Sequence, residues 1–230
     1  MIWVHGGPGD QTRVDYNAQF QYLALHGYAV LAVNHRGSSG YGKTFFKAAD
    51  LRHGDLDVAD CIDAKRFLAD TGIIDEQKIG IMGHSYGGYI VLAALAFQPN
   101  AFQVGIDICG VSNWVRTLKS LPPWFEVIKE AFYRKVGNPY TDEAYLRSIS
   151  PLFHAENICK PLLVLQGEND PRVLQIESDE IVKVARENNI PVEYKVFEGE
   201  GHGLNKKKSQ LEANQAILAF LNRHLGEHSR

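Results

Sequence analysis

Short apolar runs alternate with amphipathic stretches along the whole chain. Runs at Ile2–Val4, residues 28–33, 78–82, 104–109 and 162–165, and Val192–Phe197 are bounded by glycine, proline or polar residues, which predicts strands. Helical spacing is predicted over residues 17–25, 57–68, Tyr86–Phe97, 173–188 and 210–225. Within 57–68, Val58, Cys61, Ile62 and Leu68 recur on one face with charges between them; Leu218, Leu221 and Leu225 do the same in the last helix. The stretch Tyr86–Phe97 is apolar nearly all round, which predicts a central buried helix. Strand–helix alternation of this kind argues for a mostly parallel sheet with helices on both faces. One segment breaks the rhythm. Residues 110–160 hold Trp114, Trp124, Phe125, Phe132 and Tyr133, punctuated by Pro122-Pro123. That is too long for a simple connection and predicts a helical excursion over about 111–160. With no repeat, low-complexity tract or linker visible, residues 1–230 are expected to form one domain.

Composition narrows the class. The 230 residues carry 24 Lys+Arg against 27 Asp+Glu, for a net charge of −3, so no nucleic-acid partner is expected. Hydrophobic residues at 45% and charged residues at 22% exclude wholesale disorder. Cys61, Cys109 and Cys159 are odd in number and widely spaced, which suggests buried reduced thiols, not a disulfide framework. No H-E-x-x-H or Cys/His cluster points to a metal. The most apolar stretch, residues 89–97, is short of the roughly 20 residues that cross a bilayer. No signal peptide is visible in M-I-W-V-H-G-G-P, so a cytoplasmic location is expected and no membrane association.

The chemistry is carried by glycine-framed motifs at strand ends. Residues 83–87 read G-H-S-Y-G, after one predicted strand and before the central helix. A serine on such a strand-to-helix turn has its hydroxyl exposed in strained geometry, which marks Ser85 as a nucleophile. The helix N-terminus behind it favours developing negative charge. A serine needs a base. His202 in G-E-G-H-G, after the last strand, is the first choice; His84, His5 and His35 stay open as rivals. The base needs an orienting carboxylate. Asp170 in G-E-N-D-P-R-V is preferred over Glu168, Glu198 and Glu200 because Pro171 and Val173 suggest a fixed turn. The order Ser85, Asp170, His202 is that of the α/β-hydrolase fold. Parallel strands put all three on one sheet edge, where such sheets bind ligands. The oxyanion requires donors, expected from the backbone N–H of Tyr86 and that of Gly7 in H-G-G-P-G.

A competing pattern is present. Residues 37–44 read G-S-S-G-Y-G-K-T, a full match to the phosphate-cradling loop G-x-x-x-x-G-K-[ST]. A P-loop nucleotide-binding protein is therefore a remote alternative. No clear partner strand bearing an acidic residue follows it, and it leaves the serine, aspartate and histidine motifs unexplained.

Taken together, H-G-G-P, N-H-R-G-S-S-G-Y-G, G-H-S-Y-G-G-Y, G-V-S-N-W, G-E-N-D-P-R-V and G-E-G-H-G resemble, in order and over nearly the whole chain, the catalytic domain of the prolyl oligopeptidase family of serine hydrolases. The acylaminoacyl-peptidase-like branch is the most similar. The resemblance implies that Ser85 is the nucleophile, Asp170 the acid, His202 the base, and Gly7 and Tyr86 the oxyanion donors. It makes the glycine-rich loop at 37–44 structural. It also implies that Arg172 binds a substrate carbonyl, as its counterpart does in several members. Two departures stand out. The family's N-terminal β-propeller is not in this chain, and the chain begins inside what would be the third strand, so the first two strands of the usual sheet are missing. Either the chain is a fragment or those strands were lost. The edge near residues 28–33 would then expose unpaired backbone groups, so a homodimer or a covering segment is expected.

The expectation is thus a serine hydrolase using no cofactor and no metal, with activity rising with pH as the base loses its proton. An open cleft should admit small acyl esters, with Trp114 and Trp124 as substrate contacts. That favours a carboxylesterase; the alternative is a serine peptidase of acylaminoacyl or oligopeptidase type acting on short peptides. A non-catalytic binding module on the same fold is a further alternative.

Overall fold

The computed structural model describes residues 1–226. Its elements run β1 (Ile2–Val4), α1 (Ala18–Leu25), β2 (Leu31–Val33), α2 (Lys43–Lys47), α3 (Leu56–Asp70), β3 (Ile81–His84), α4 (Tyr86–Phe97) and β4 (Gly105–Ile108). Then follow α5 (Trp114–Lys119), α6 (Glu126–Val136), α7 (Glu143–Ser148), β5 (Leu162–Gly167), α8 (Gln175–Glu187), β6 (Val192–Phe197) and α9 (Lys207–Leu225). The six strands form one sheet in the order β2-β1-β3-β4-β5-β6, and every neighbouring pair is parallel.

Alternation along the strands sorts the two faces. Met82, Ile106, Ile108, Leu163 and Leu165 pack with Leu23 of α1 and Ile217, Phe220 and Leu221 of α9. On the opposite face, Ile2, Val4 and Ile81 meet Val58 and Cys61 of α3 and Ile90 of α4. Leu162 and Val164 meet Leu92 and Leu95 of α4 and Ile181 of α8 on that same face. Helix α4 is buried from Tyr86 to Ala96, as its apolar sequence requires. The chain steps outward from β1 to β2, then returns past β1 to β3. Strand order therefore reverses between β1 and β3, and the crevice beyond their carboxyl ends is where sheets of this kind place ligands.

Several boundaries differ from the pattern reading. Strand β2 starts at Leu31 because the Tyr28 amide bonds back to the Leu23 carbonyl, closing α1 before the ladder begins. The excursion resolves into α5, α6 and α7, with 3₁₀ turns at Pro123–Phe125 and Pro151–Asn157. Cys61 and Cys109 are buried, but Cys159 is exposed in the loop ahead of β5. No helix among the described residues is long and apolar enough to cross a membrane.

Candidate active site

Ser85 sits between β3 and α4 with φ 60° and ψ −117°. A non-glycine residue held there stores about 1–3 kcal/mol of strain. The turn closes only because its neighbours are bare. A Cβ on Gly87 would lie 2.1 Å from the Val4 carbonyl oxygen, so α4 could not pack against β1.

The loops after β5 and β6 meet over this serine. His202 Nδ1 lies 2.7 Å from Asp170 Oδ2, and His202 Nε2 lies 2.7 Å from Ser85 Oγ. A carboxylate only accepts, so Nδ1 carries the proton and Nε2 is free to accept the serine hydroxyl. The other Asp170 oxygen accepts the amides of Arg172 (2.8 Å) and Val173 (2.9 Å). Burial alone would raise the Asp170 carboxyl. The bond and charge of His202 and those two amides outweigh it and hold the group below its ordinary value.

Most of the rival residues are occupied elsewhere. His84 Nε2–H donates to the His202 carbonyl at 2.7 Å, so His84 braces the base's loop. His5 donates from Nδ1 to the Gly6 carbonyl, accepts from Ser38 Oγ at 2.7 Å, and stacks on His35 with ring centres 4.7 Å apart. Burial, with His35 close by, lowers His5 to about 4. Glu168 accepts the Gly199 amide, and Glu200 accepts the amides of Asn205 and Lys206.

The Gly6-Gly7 turn after β1 passes directly over the nucleophile: a Cβ on Gly6 would lie 3.5 Å from Ser85 Cβ. Gly7 has φ +139°, and a Cβ there would meet the Gly9 amide at 2.5 Å. Beside Ser85, Tyr86 and His202 opens a cavity of about 70 Å³, walled by Val111, Trp114, Leu121, Phe125 and Phe132, with Arg172 also lining it. The Arg172 side chain makes no ion pair among the described residues; its backbone serves Asp170. A larger cavity of about 890 Å³ lies across the Gly7–Asp10 loop and shares Gly7 and Phe132 with the first.

Not every expected residue is brought in. Trp124 stands 58% exposed and does not line the cavity; the 3₁₀ turn at Pro123–Phe125 aims Phe125 inward instead, edge-on to Phe132 at 6.1 Å. In the glycine-rich stretch 37–44, Ser38 is buried on His5, and the following α2 is only five residues long. Such a helix offers a phosphate little of the dipole that a P-loop uses. Among the described residues, no group of three or more His, Cys, Asp or Glu could hold a metal ion.

Two features escaped the motif reading. Glu177 on α8 is buried and accepts from the amides of Ser112 and Asn113, from Arg116 Nε at 2.8 Å and from Thr117 Oγ1, fixing the segment that carries Trp114. Beneath the elbow, Tyr86 OH donates to Asp57, and His53 closes on the same hydroxyl. Nothing but an acidic residue in the first turn of a predicted helix signalled Asp57.

The parallel sheet, the strained serine turn and the chain order Ser85, Asp170, His202 define an α/β hydrolase. The chain belongs to the prolyl oligopeptidase family, whose model matches residues 14–228. It is 42% identical over 228 residues to dipeptidyl aminopeptidase BIII of Pseudoxanthomonas mexicana, covering 98% of this chain and 33% of that protein. It is 26% identical to the acylamino-acid-releasing enzyme of Arabidopsis thaliana, covering 96% and 30%. Among solved structures, the puromycin-hydrolyzing peptidase of Mycobacterium tuberculosis superposes with a TM-score of 0.92 at 31% identity, covering 98% and 34%. The chain thus spans about a third of the length of these relatives. Two of the three are named peptidases and the third an acylamino-acid-releasing enzyme, which gives the expected carboxylesterase no support.

Proposed function

We propose that this chain is the catalytic domain of a serine peptidase acting on short peptides. The observation that carries the reading is the hydrogen-bonded chain from Ser85 Oγ through His202 to Asp170. His202 Nε2 takes the hydroxyl proton as Ser85 attacks the scissile carbonyl carbon. The amides of Gly7 and Tyr86 hold the resulting oxyanion. His202 then returns its proton to the departing amine, leaving an acyl-enzyme. A water deprotonated by the same nitrogen attacks the acyl carbon and frees Ser85. Asp170 keeps the imidazole in the tautomer this requires and stabilises it when protonated.

The substrate class follows from the walls. The aromatic and aliphatic lining around Trp114, Phe125 and Phe132 suits an apolar side chain on the acyl side of the scissile bond. Arg172 lines the same cavity, which supports a role for its guanidinium in binding a substrate carbonyl. The peptidase relatives support amide over ester cleavage.

The test compares an aminoacyl or acyl-aminoacyl p-nitroanilide with a short-chain p-nitrophenyl ester, with Ser85→Ala as the blank. Efficient anilide turnover that the variant abolishes supports the peptidase. Turnover of the ester alone would return the reading to an esterase.

A further inference from the structure

Under the proposed oxyanion residue lies a buried polar chain that the mechanism does not use. Asp57 opens the first turn of α3, His53 lies in the loop before it, and Tyr86 leads α4; all three are buried. The hydroxyl of Tyr86 contacts both Asp57 Oδ2 and His53 Nδ1. The other Asp57 oxygen accepts the amides of Gly54 and Val58, each at 2.8 Å. His53 Nε2 meets the Lys135 carbonyl at 3.0 Å.

Counting protons narrows this chain to two isomers. A carbonyl only accepts, so His53 Nε2 carries a proton. The Tyr86 hydroxyl has one hydrogen, and Asp57 takes it. If His53 Nδ1 were bare, its lone pair would face the phenolic oxygen with no hydrogen between them. All contacts are satisfied when Nδ1 is also protonated and donates to that oxygen, or when the proton sits on Asp57 and the phenol donates to Nδ1; the two amides on the other Asp57 oxygen favour the carboxylate and hence the first isomer.

We infer that Asp57 and His53 are positioning residues for the oxyanion amide, gripping the phenol of Tyr86 as a buried carboxylate–phenol–imidazolium chain. The inference rests on the oxyanion role proposed for Tyr86. Three further observations support it. First, the Lys135 carbonyl lies in the last turn of α6, where unpaired carbonyls and the helix dipole favour a cation; it also accepts the Leu51 amide at 2.9 Å. Second, the balancing carboxylate is close, with His53 Nδ1 3.6 Å from Asp57 Oδ2. Burial alone would raise that carboxyl, but His53 and the Tyr86 hydroxyl hold it below its ordinary value. Third, the groups packed into the pocket are neutral, and the carboxylates just outside it, Asp60 and Asp55, are paired with Arg36 and Arg52. Burial pushes Cys61 of α3 and Tyr89 of α4 up and Tyr145 of α7 to about 12, and it lowers His35 on the loop after β2. The Lys135 ammonium turns away to Asp50 at 2.8 Å.

The consequence is mechanical. The chain ties the residue whose amide faces the oxyanion to the end of α6, the helix that carries Phe132 on the substrate cavity. An oxyanion donor acts only in the transition state, so loosening it lowers kcat and leaves KM in place.

The test measures anilide turnover by Tyr86→Phe, Asp57→Asn and the double variant, together with the ¹⁵N shifts of His53 in the unaltered protein near about pH 8. Loss of a whole donor costs about 10²–10³-fold in kcat, so a misaimed one should cost about 10-fold with KM within about threefold. The double variant should be no slower than the worse single one, because both changes cut one link. His53 should show both ring nitrogens protonated. Unchanged kcat, a raised KM at intact kcat, additive losses or a neutral His53 ring would each overturn the inference. The shift measurement needs no variant to fold. If the unaltered protein neither turns over the anilide nor reacts with a fluorophosphonate, the active-site reading has failed instead, and the His53 result still stands alone.

Discussion

Two buried aspartates on the active-site side of the sheet are shifted in opposite directions. Asp170, on the loop after β5, is held below its ordinary value by His202 and two amides. Asp107, inside β4, is wedged so tightly that a Cβ on Gly88 or Gly110 would come within 2.2 or 2.3 Å of its Oδ1. Neither of its oxygens accepts a well-formed hydrogen bond. Burial drives its carboxyl up to about 7, and the Gly110 amide close by offsets only part of this. Burial is thus the common starting point, and partners decide the outcome. A carboxylate built to steer a proton is surrounded by donors. One left in the core without them is pushed toward its neutral form.

The largest effect should come from depriving the partnered carboxylate of its charge. Asp170→Asn should lower kcat on the order of 10⁴-fold, because the amide no longer enforces the productive imidazole tautomer. Steady-state kinetics on the anilide would read it, and a loss under about tenfold would break the comparison at its functional end.

The unpartnered carboxyl should speak through stability. Its folded value, about 7, lies above the ordinary 3.8, so its contribution is complete below 3.8 and lost as pH rises through 7. The loss by about pH 9 is on the order of 4 kcal/mol at most. Asp107→Asn should therefore raise Tm relative to the unaltered protein increasingly as pH climbs from 3.8 to about 7, and not below 3.8. Asp170 works in the opposite window: its contribution is present above 3.8 and lost as pH falls below it. Thermal melts across pH would separate the two, and an equal shift at every pH would contradict the assignment.

Smaller effects sharpen the picture around the same loop. Arg172→Ala keeps the amide that Asp170 uses and removes the guanidinium. KM should rise by about 10-fold with kcat little changed, which a full saturation curve would show. Smallest of all, Trp124→Ala should leave both constants within about twofold, whereas Phe125→Ala should raise KM several-fold. The reverse ranking would restore Trp124 as the substrate contact.

Much of the sheet and of the site was legible because a few residue types have few uses. Glycines beside a lone serine, and a proline after an aspartate, announce tight turns at strand ends. Apolar runs such as 162–165 can hardly be anything but buried strand. The remainder depended on tertiary packing. Asp57 reads as one more charge on an amphipathic helix until Tyr86 is folded over it. Glu177 reads as a solvated residue of α8 until α5 docks. Trp124 and Phe125 are adjacent aromatics, and only the 3₁₀ turn decides which one faces the cavity. Strand β2 lost its first residues to a backbone bond that closes α1.

The central claim is that Ser85, His202 and Asp170 form a working nucleophilic chain. Intact-mass measurement after treatment with a fluorophosphonate tests it most directly, followed by peptide mapping and repetition with Ser85→Ala and His202→Ala. The account predicts a single adduct on Ser85, absent from the serine variant and formed far more slowly in the histidine variant. No adduct, or one on another residue that survives Ser85→Ala, would contradict it.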